Sequence, residues 1–408
     1  MKGDEKWHEM RSTLSPSYTS SKMKGIFLLI KECSKQFVDY YSKYDEMVTI
    51  EFKDAFSRFA NDVIATSAFG IKCDSLKEPN NVFYLMGTEV VSTFRGANLL
   101  ILLLNMFLPI VSKTLQIPLF SKKLVNFFTS IIKDTIKQRE EKHIVRPDML
   151  HLLIEARKGQ LQHKKELSIP EAGFAVVEES EIITNSKKRK LSISEEDITA
   201  QGFIFFFAGF ESISTMMSYT AYELALNPDI QKKLQVEVDE TLKGSANDLT
   251  YETLMHMKYL DCVISETLRK WPSFVGTNRL CVKPYTIPAE KPDETTLNLE
   301  KGMSCFIPIA AIHRDPKYYP NPDKYDPERF NDENRKNIQP YSYLPFGGGP
   351  RNCIGSRFAL LEAKLLIAEI VSKFEFVVVE KTQIPIKFSR KNFSPVPDEG
   401  FWLGLRKR

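Results

Sequence analysis

Apolar residues recur every three or four positions along most of this chain, the periodicity of helices that bury one face. The spacing predicts helices over Phe27 to Tyr44, Phe52 to Ser67, Lys122 to Glu141, Pro147 to Arg157, Glu195 to Leu226, Pro228 to Leu242, Tyr251 to Lys270 and Ser356 to Phe374. Start signals accompany several of them: Ser194 stands before Glu195-Glu196-Asp197, Asn227 before Pro228, and Pro147 ahead of Asp148. Strand-like segments are short and late, at Leu280 to Ile287, Ser304 to Ile309, Phe374 to Val379 and Phe401 to Leu405. Residues 158–190 are polar and aperiodic, an exposed connection inside one domain spanning 1–408. Lys283 to Lys301, with Pro284, Pro288 and Pro292, reads as a second surface excursion. The pattern predicts a mainly α fold with a small β-rich part.

Composition narrows the function without naming it. The 408 residues suffice for a large core, and 43% hydrophobic with 26% charged residues is ordinary for a soluble globular protein. A net charge of +4 gives no reason to expect a nucleic-acid partner. The run Lys187-Lys188-Arg189-Lys190 is flanked by Glu178, Glu179, Glu181, Glu195 and Glu196, as in a solvated loop. Six cysteines, at 33, 73, 262, 281, 305 and 353, form no C-x-x-C pair and no zinc spacing, and no cleavable signal peptide precedes them, which implies a reducing compartment. The longest apolar run, Leu99 to Ile110, is broken by Asn105 and Pro109 and is too short to cross a bilayer. It reads either as a buried helix or as a surface element that dips into a membrane, continued through Leu115-Gln116-Ile117-Pro118-Leu119-Phe120.

One segment concentrates the chemistry: Phe346-Gly347-Gly348-Gly349-Pro350-Arg351-Asn352-Cys353-Ile354-Gly355. Its glycines let the backbone turn tightly and approach a large planar partner. The helix expected from Ser356 places Cys353 at a positive N-terminal end, where a thiolate is favoured. The order Phe-x-x-Gly-x-Arg-x-Cys-x-Gly resembles the haem-ligand loop of the cytochrome P-450 (haem-thiolate monooxygenase) family. By that resemblance Cys353 is the metal ligand of haem b, and Phe346, Arg351 and Gly355 bind the cofactor.

Further landmarks follow the family's order. Glu266-Thr267-Leu268-Arg269 puts an acid and a base on one helical face, and Pro327-Glu328-Arg329-Phe330 comes next. The resemblance makes Glu266, Arg269 and Arg329 a buried charge network behind the haem. Ala208-Gly209-Phe210-Glu211-Ser212 lies midway along an apolar helix and resembles the oxygen-activation motif, with Glu211 and Ser212 as the catalytic proton relay and Gly209 letting the helix open. Serine stands where the family has threonine; without the methyl group its hydroxyl has more rotamers. Trp7 and Arg11, one helical turn apart, resemble the family's W-x-x-x-R and, with Arg279 and Arg351, would hold the haem propionates. Phe205, Phe206, Ala208, Phe274, Val275 and Phe393 are the expected pocket lining.

The resemblance implies the cytochrome P-450 fold, a large helical domain with a small β-rich lobe, and the flavour of Arg11 to Pro16 and Gly173 to Ser180 is nearest to insect microsomal members. It implies monooxygenation of a small lipophilic substrate, xenobiotic or endogenous, by O2. A NADPH-dependent flavin reductase supplies electrons, with cytochrome b5 a further candidate partner, at the cytosolic face of the endoplasmic reticulum membrane through a peripheral contact. The W-x-x-x-R motif begins at residue 7, so the chain is expected to lack the family's N-terminal anchor, strands and helices. Such a chain is then expected to hold haem weakly and to be largely inactive. Two other readings stand beside this one: a haem-binding remnant or inactive fragment, and a haem-thiolate isomerase or peroxide-using enzyme. The acid-alcohol pair favours the oxygenase.

Overall fold

The computed structural model describes residues 5–93, 100–101, 104, 111, 114–115, 118, 120–158, 173–176, 193–390 and 395–408. Phe393, most of the connection at 158–190 and most of Leu99 to Phe120 lie outside these residues. Among the described residues, no helix is long and apolar enough to cross a membrane.

The first half is a succession of helices. α1 (Glu5–Leu14) runs through a 3-10 turn at Ser15–Tyr18 into α2 (Ser20–Tyr41). A strand, β1 (Val48–Glu51), leads into α3 (Phe52–Ile64), whose first amides at Lys53 and Asp54 are capped by the Glu51 carboxylate. A π-helical turn at Ala65–Phe69 extends α3, and Gly70 at φ 74° stops it. α4 (Val82–Ser92) starts on the Asn81 side chain, α5 (Lys122–Glu141) on Ser121, and α6 (Met149–Arg157) on Asp148.

α7 (Glu195–Leu226) is the axis of the molecule. Ser194 and Asp197 form a reciprocal capping box at its start, with Glu195 and Glu196 against the positive end. It ends at Asn227 because Pro228, the first residue of α8 (Pro228–Gly244), disfavours a helical residue before it. α7 packs most extensively on α3 and also on α12 (Ser356–Lys373), which is buried along most of its length. Burial of these apolar faces is the main stabilisation of the domain.

Between them lie α9 (Tyr251–Met255) and α10 (Lys258–Lys270). The single helix expected over Tyr251 to Lys270 is thus two. Met257 is extended at φ −72° and ψ 96°, and the Glu237 carboxylate of α8 accepts from the amides of Tyr259 and Leu260 at 2.7 and 2.8 Å. A cap supplied from another helix makes the break, so periodicity alone could not reveal it.

Among the described residues the strands form three small antiparallel sheets. β2 (Thr277–Leu280) pairs with β5 (Ser304–Ile307), β3 (Tyr285–Ile287) with β4 (Leu297–Leu299), and β6 (Phe374–Val377) with β7 (Trp402–Lys407), which also pairs β1. The strand expected over Leu280 to Ile287 is divided between two sheets, Leu280 opposite Ser304 and Tyr285 opposite Leu299. Pro284, which has no amide to donate, lies at the division. The excursion from Lys283 to Lys301 is the β3–β4 hairpin. One further short helix, α11 (Ile309–Ile312), leads towards the Cys353 loop. α1, α4, β1 and β4 carry too few periodic positions to be foreseen from spacing.

Candidate haem-thiolate site

The loop before α12 is a closed backbone turn around Cys353. The Cys353 amide donates to the Phe346 carbonyl at 2.9 Å, and Gly347 and Gly349 both adopt left-handed φ, 73° and 72°. A side chain at either position would strain the turn. Phe346 is half-buried against the core, so the far end of the turn is fixed by packing.

Cys353 is exposed on one side although Asn352 and Ser356 beside it are buried. Protein atoms around the rest of the residue still desolvate the sulfur. Burial pushes the thiol up from its ordinary value, and the Gly355 amide and the Arg11 guanidinium pull against that. A soft cation bound through the open side supplies the charge that a buried thiolate needs.

Three predicted residues from outside this loop reach it: Arg11, Trp7 and Arg279. Arg11 donates from Nη1 to the Asn352 carbonyl at 2.9 Å and from Nη2 to Asn352 Oδ1 at 2.6 Å. Trp7, one turn earlier on α1, carries the Arg351 guanidinium 4.0 Å from its ring centroid. Arg279 on β2 donates to the Gly348 carbonyl at 3.2 Å and to Thr277 Oγ1 at 3.0 Å. Cations from α1 and β2 therefore meet on the turn that carries Cys353, with Arg351 of the turn itself beside Trp7, a setting that fits a planar dianion with a metal at its centre.

The charge network is also assembled. Arg269 makes a bidentate pair with Glu266, Nε to Oε2 at 2.6 Å and Nη2 to Oε1 at 2.8 Å, with both side chains 0% exposed. Arg269 also donates to the carbonyls of His313 at 2.9 Å and Pro322 at 2.8 Å, and Glu266 Oε1 accepts from the Asp326 amide at 2.8 Å. Burial raises the Glu266 carboxyl while Arg269 lowers it. Arg329 is the looser member, its Nε 3.5 Å from Glu266 Oε1 without a hydrogen bond there.

Glu211 and Ser212 face different neighbours. Glu211 pairs with Lys53 of α3 at 2.9 Å, and the same ammonium donates to Ser214 Oγ at 2.7 Å. Ser212 donates back to the Ala208 carbonyl at 2.6 Å. α7 runs as continuous helix through Gly209, and a Cβ there would lie 2.8 Å from Ile64 Cδ1, so glycine lets α3 and α7 close together. Ile204 and Ala208 are exposed and Ser212 partly so, a stripe at four-residue spacing along α7.

Pocket residues are divided. Ala208 belongs to that stripe and Phe205 borders it, and Phe274 and Val275 are 57% and 55% exposed ahead of β2. Phe206, expected to line the pocket, is fully buried instead among Phe69, Phe83, Phe128 and Phe210. Two residues on from Ile204, it turns to the opposite side of the helix. Tyr18 joins the two halves of the site. Its ring centroid is 5.5 Å from that of Phe205, and its Cε1 is 3.9 Å from where a Gly355 Cβ would stand.

Lys53, His313, Tyr18 and Asn352 were not singled out by sequence reasoning. Lys53 and Tyr18 carry no local pattern, whereas Asn352 adjoins Cys353.

A family model described as Cytochrome P450 matches residues 1–403. Cytochrome P450 9e2 of Blattella germanica is 46% identical, covering 99% of this chain and 75% of that relative. Probable cytochrome P450 9f2 of Drosophila melanogaster is 42% identical over the same shares, and cytochrome P450 6k1 of Blattella germanica 36% identical over 95% of this chain and 71% of the relative. The chain belongs to the cytochrome P450 family. It is a haem-thiolate monooxygenase that binds haem b, an oxidoreductase that uses O2, a lipophilic substrate and a redox partner.

Proposed function

We propose that Cys353 is the thiolate ligand of haem b, and that Trp7, Arg11, Arg279 and Arg351 hold the propionates at the edge of the loop. The observation that carries this reading is the convergence of Arg11 and Arg279 on the Cys353 turn, with Tyr18 bordering both the turn and the exposed stripe of α7. Phe346 and Gly355 frame the ligand from either side.

Haem b bound there supplies the reductive activation of dioxygen, and a thiolate ligand favours O–O cleavage. The residues of the chain do the rest. Arg11 and Arg279 orient the loop, and Glu266, Arg269 and Arg329 brace the chain behind it. Ser212 Oγ donates to the Ala208 carbonyl at rest and would turn from it to hand a proton to the open face of α7. Glu211, held by Lys53, is the other member of the proposed relay and would take up a proton from solvent before passing it on.

The substrate is a small lipophilic molecule, xenobiotic or endogenous, met by Phe205, Ala208, Phe274 and Val275. Electrons come from NADPH through a flavin reductase, with cytochrome b5 as a second donor. The protein works on the cytosolic face of the endoplasmic reticulum membrane, as one domain over 1–408 with 158–190 an exposed connection.

The test is the carbon monoxide spectrum of the reduced protein, with the red-shifted Soret band of thiolate ligation expected and lost in Cys353→Ala. An unchanged band in that variant moves the ligand to another residue. Product formed with reductase and NADPH separates the monooxygenase from an isomerase, a peroxide-using enzyme or a non-catalytic remnant.

A further inference from the structure

His313, at the end of α11, lies between the charge network and the thiolate loop, with no exposed surface. Its Nδ1 lies 3.2 Å from the Arg269 carbonyl, and the Leu344 amide donates to its Nε2 at 2.8 Å. A carbonyl only accepts and an amide N–H only donates, so the partners assign Nδ1–H and a bare Nε2, the neutral tautomer. Burial keeps it so, lowering the imidazole to about 4. The Tyr343 ring stacks on His313 at 5.5 Å and 25°, and the Arg269 guanidinium returns a bond to the His313 carbonyl at 2.9 Å.

Leu344 is where the chain enters the turn. Its carbonyl accepts from Gly347 at 3.0 Å, and two residues later Phe346 accepts from Cys353. We propose that His313 is a positioning residue for the thiolate loop: its Nε2 fixes the Leu344 amide and so transmits the rigidity of the Glu266–Arg269 pair to the backbone that presents Cys353. This rests on the reading of Cys353 as the ligand. The bond is part-buried, with the imidazole fully inside, so its loss leaves a desolvated ring nitrogen and a less protected Leu344 amide.

The test compares His313→Gln with His313→Asn in the full haem-loaded chain. Glutamine places an oxygen near the position of Nε2 and keeps an acceptor for Leu344; asparagine is shorter and serves the Arg269 side alone. The Leu344 amide is expected to exchange hydrogen about tenfold faster in the asparagine variant, the loss of one buried bond. That variant also loses the thiolate-type Soret band on standing while the glutamine variant keeps it. Equal exchange, or equal retention of a Soret band that depends on Cys353, overturns the proposal. If the asparagine variant does not accumulate, the glutamine variant decides: native protection at Leu344 is expected, and free exchange there overturns the proposal. Failure of the ligand reading looks different, because the Soret band then survives Cys353→Ala.

Discussion

Arg11 grips Asn352 twice, through its backbone carbonyl at 2.9 Å and its side-chain oxygen at 2.6 Å, across 341 residues of chain. The residue before the proposed ligand is therefore held by a helix from the opposite end of the sequence, and the thiolate loop is only as rigid as α1 is well seated.

Arg11→Ala is expected to lower unfolding stability by roughly 1.5–3 kcal/mol, the range for hydrogen bonds to a charged group, and to speed haem loss. Arg11→Lys recovers little, because an ammonium lacks the planar fork that reaches both oxygens. Denaturant midpoints and haem transfer to an acceptor protein measure both effects. Unchanged values in Arg11→Ala would make the grip incidental.

Ser212 is the position where the chain departs from threonine. Ser212→Thr is expected to raise product formed per NADPH consumed, since the added methyl restricts the hydroxyl to fewer rotamers. Ser212→Ala should lower it by about tenfold or more, the scale of a lost proton-transfer group. Equal coupling in all three proteins removes Ser212 from the relay.

Arg269→Ala leaves Glu266 buried beside a loosely held Arg329. Removing one partner of such a pair costs about 3–5 kcal/mol, so little folded protein is expected. Arg329→Ala should cost much less, because Arg329 Nε makes no hydrogen bond to Glu266. Soluble yield and urea midpoints rank the two, and the reverse order would refute this account of the network.

Asp62 provides a pH signature away from the haem. Burial raises its carboxyl to about 6, against hydrogen bonds from the Ser75 amide at 2.8 Å and the Asn61 side chain at 3.3 Å. The folded state then holds the proton more tightly than the unfolded chain. Its contribution is full below about pH 4 and is lost as pH rises through about 6, a change of roughly 2–3 kcal/mol. Stability of the native protein relative to Asp62→Asn should fall across that window when followed by urea unfolding; a flat difference would show that Asp62 does not titrate there.

Local pattern was enough for most of the long helices, although α2 starts at Ser20 and not at Phe27, and for the tight turn around Cys353. Apolar spacing and caps such as Ser194 with Asp197 act within a few residues, and the glycines at 347 and 349 are required by a turn only ten residues long. Glu266 and Arg269 pair inside one helical turn, so they too are legible as sequence. Other features depend on residues far apart in the chain, whose proximity is decided by packing. Glu237 breaks the helix expected from Tyr251 to Lys270 by capping it from α8; helical phase against α5 and the turn after α3 buries Phe206; Lys53 meets Glu211 where α3 and α7 pack together. His313 likewise becomes a strut only where α10 and the loop at Leu344 come within hydrogen-bond reach of one ring. Short-range periodicity and turn chemistry are written along the chain, whereas buried polar contacts need partners that only tertiary packing brings together.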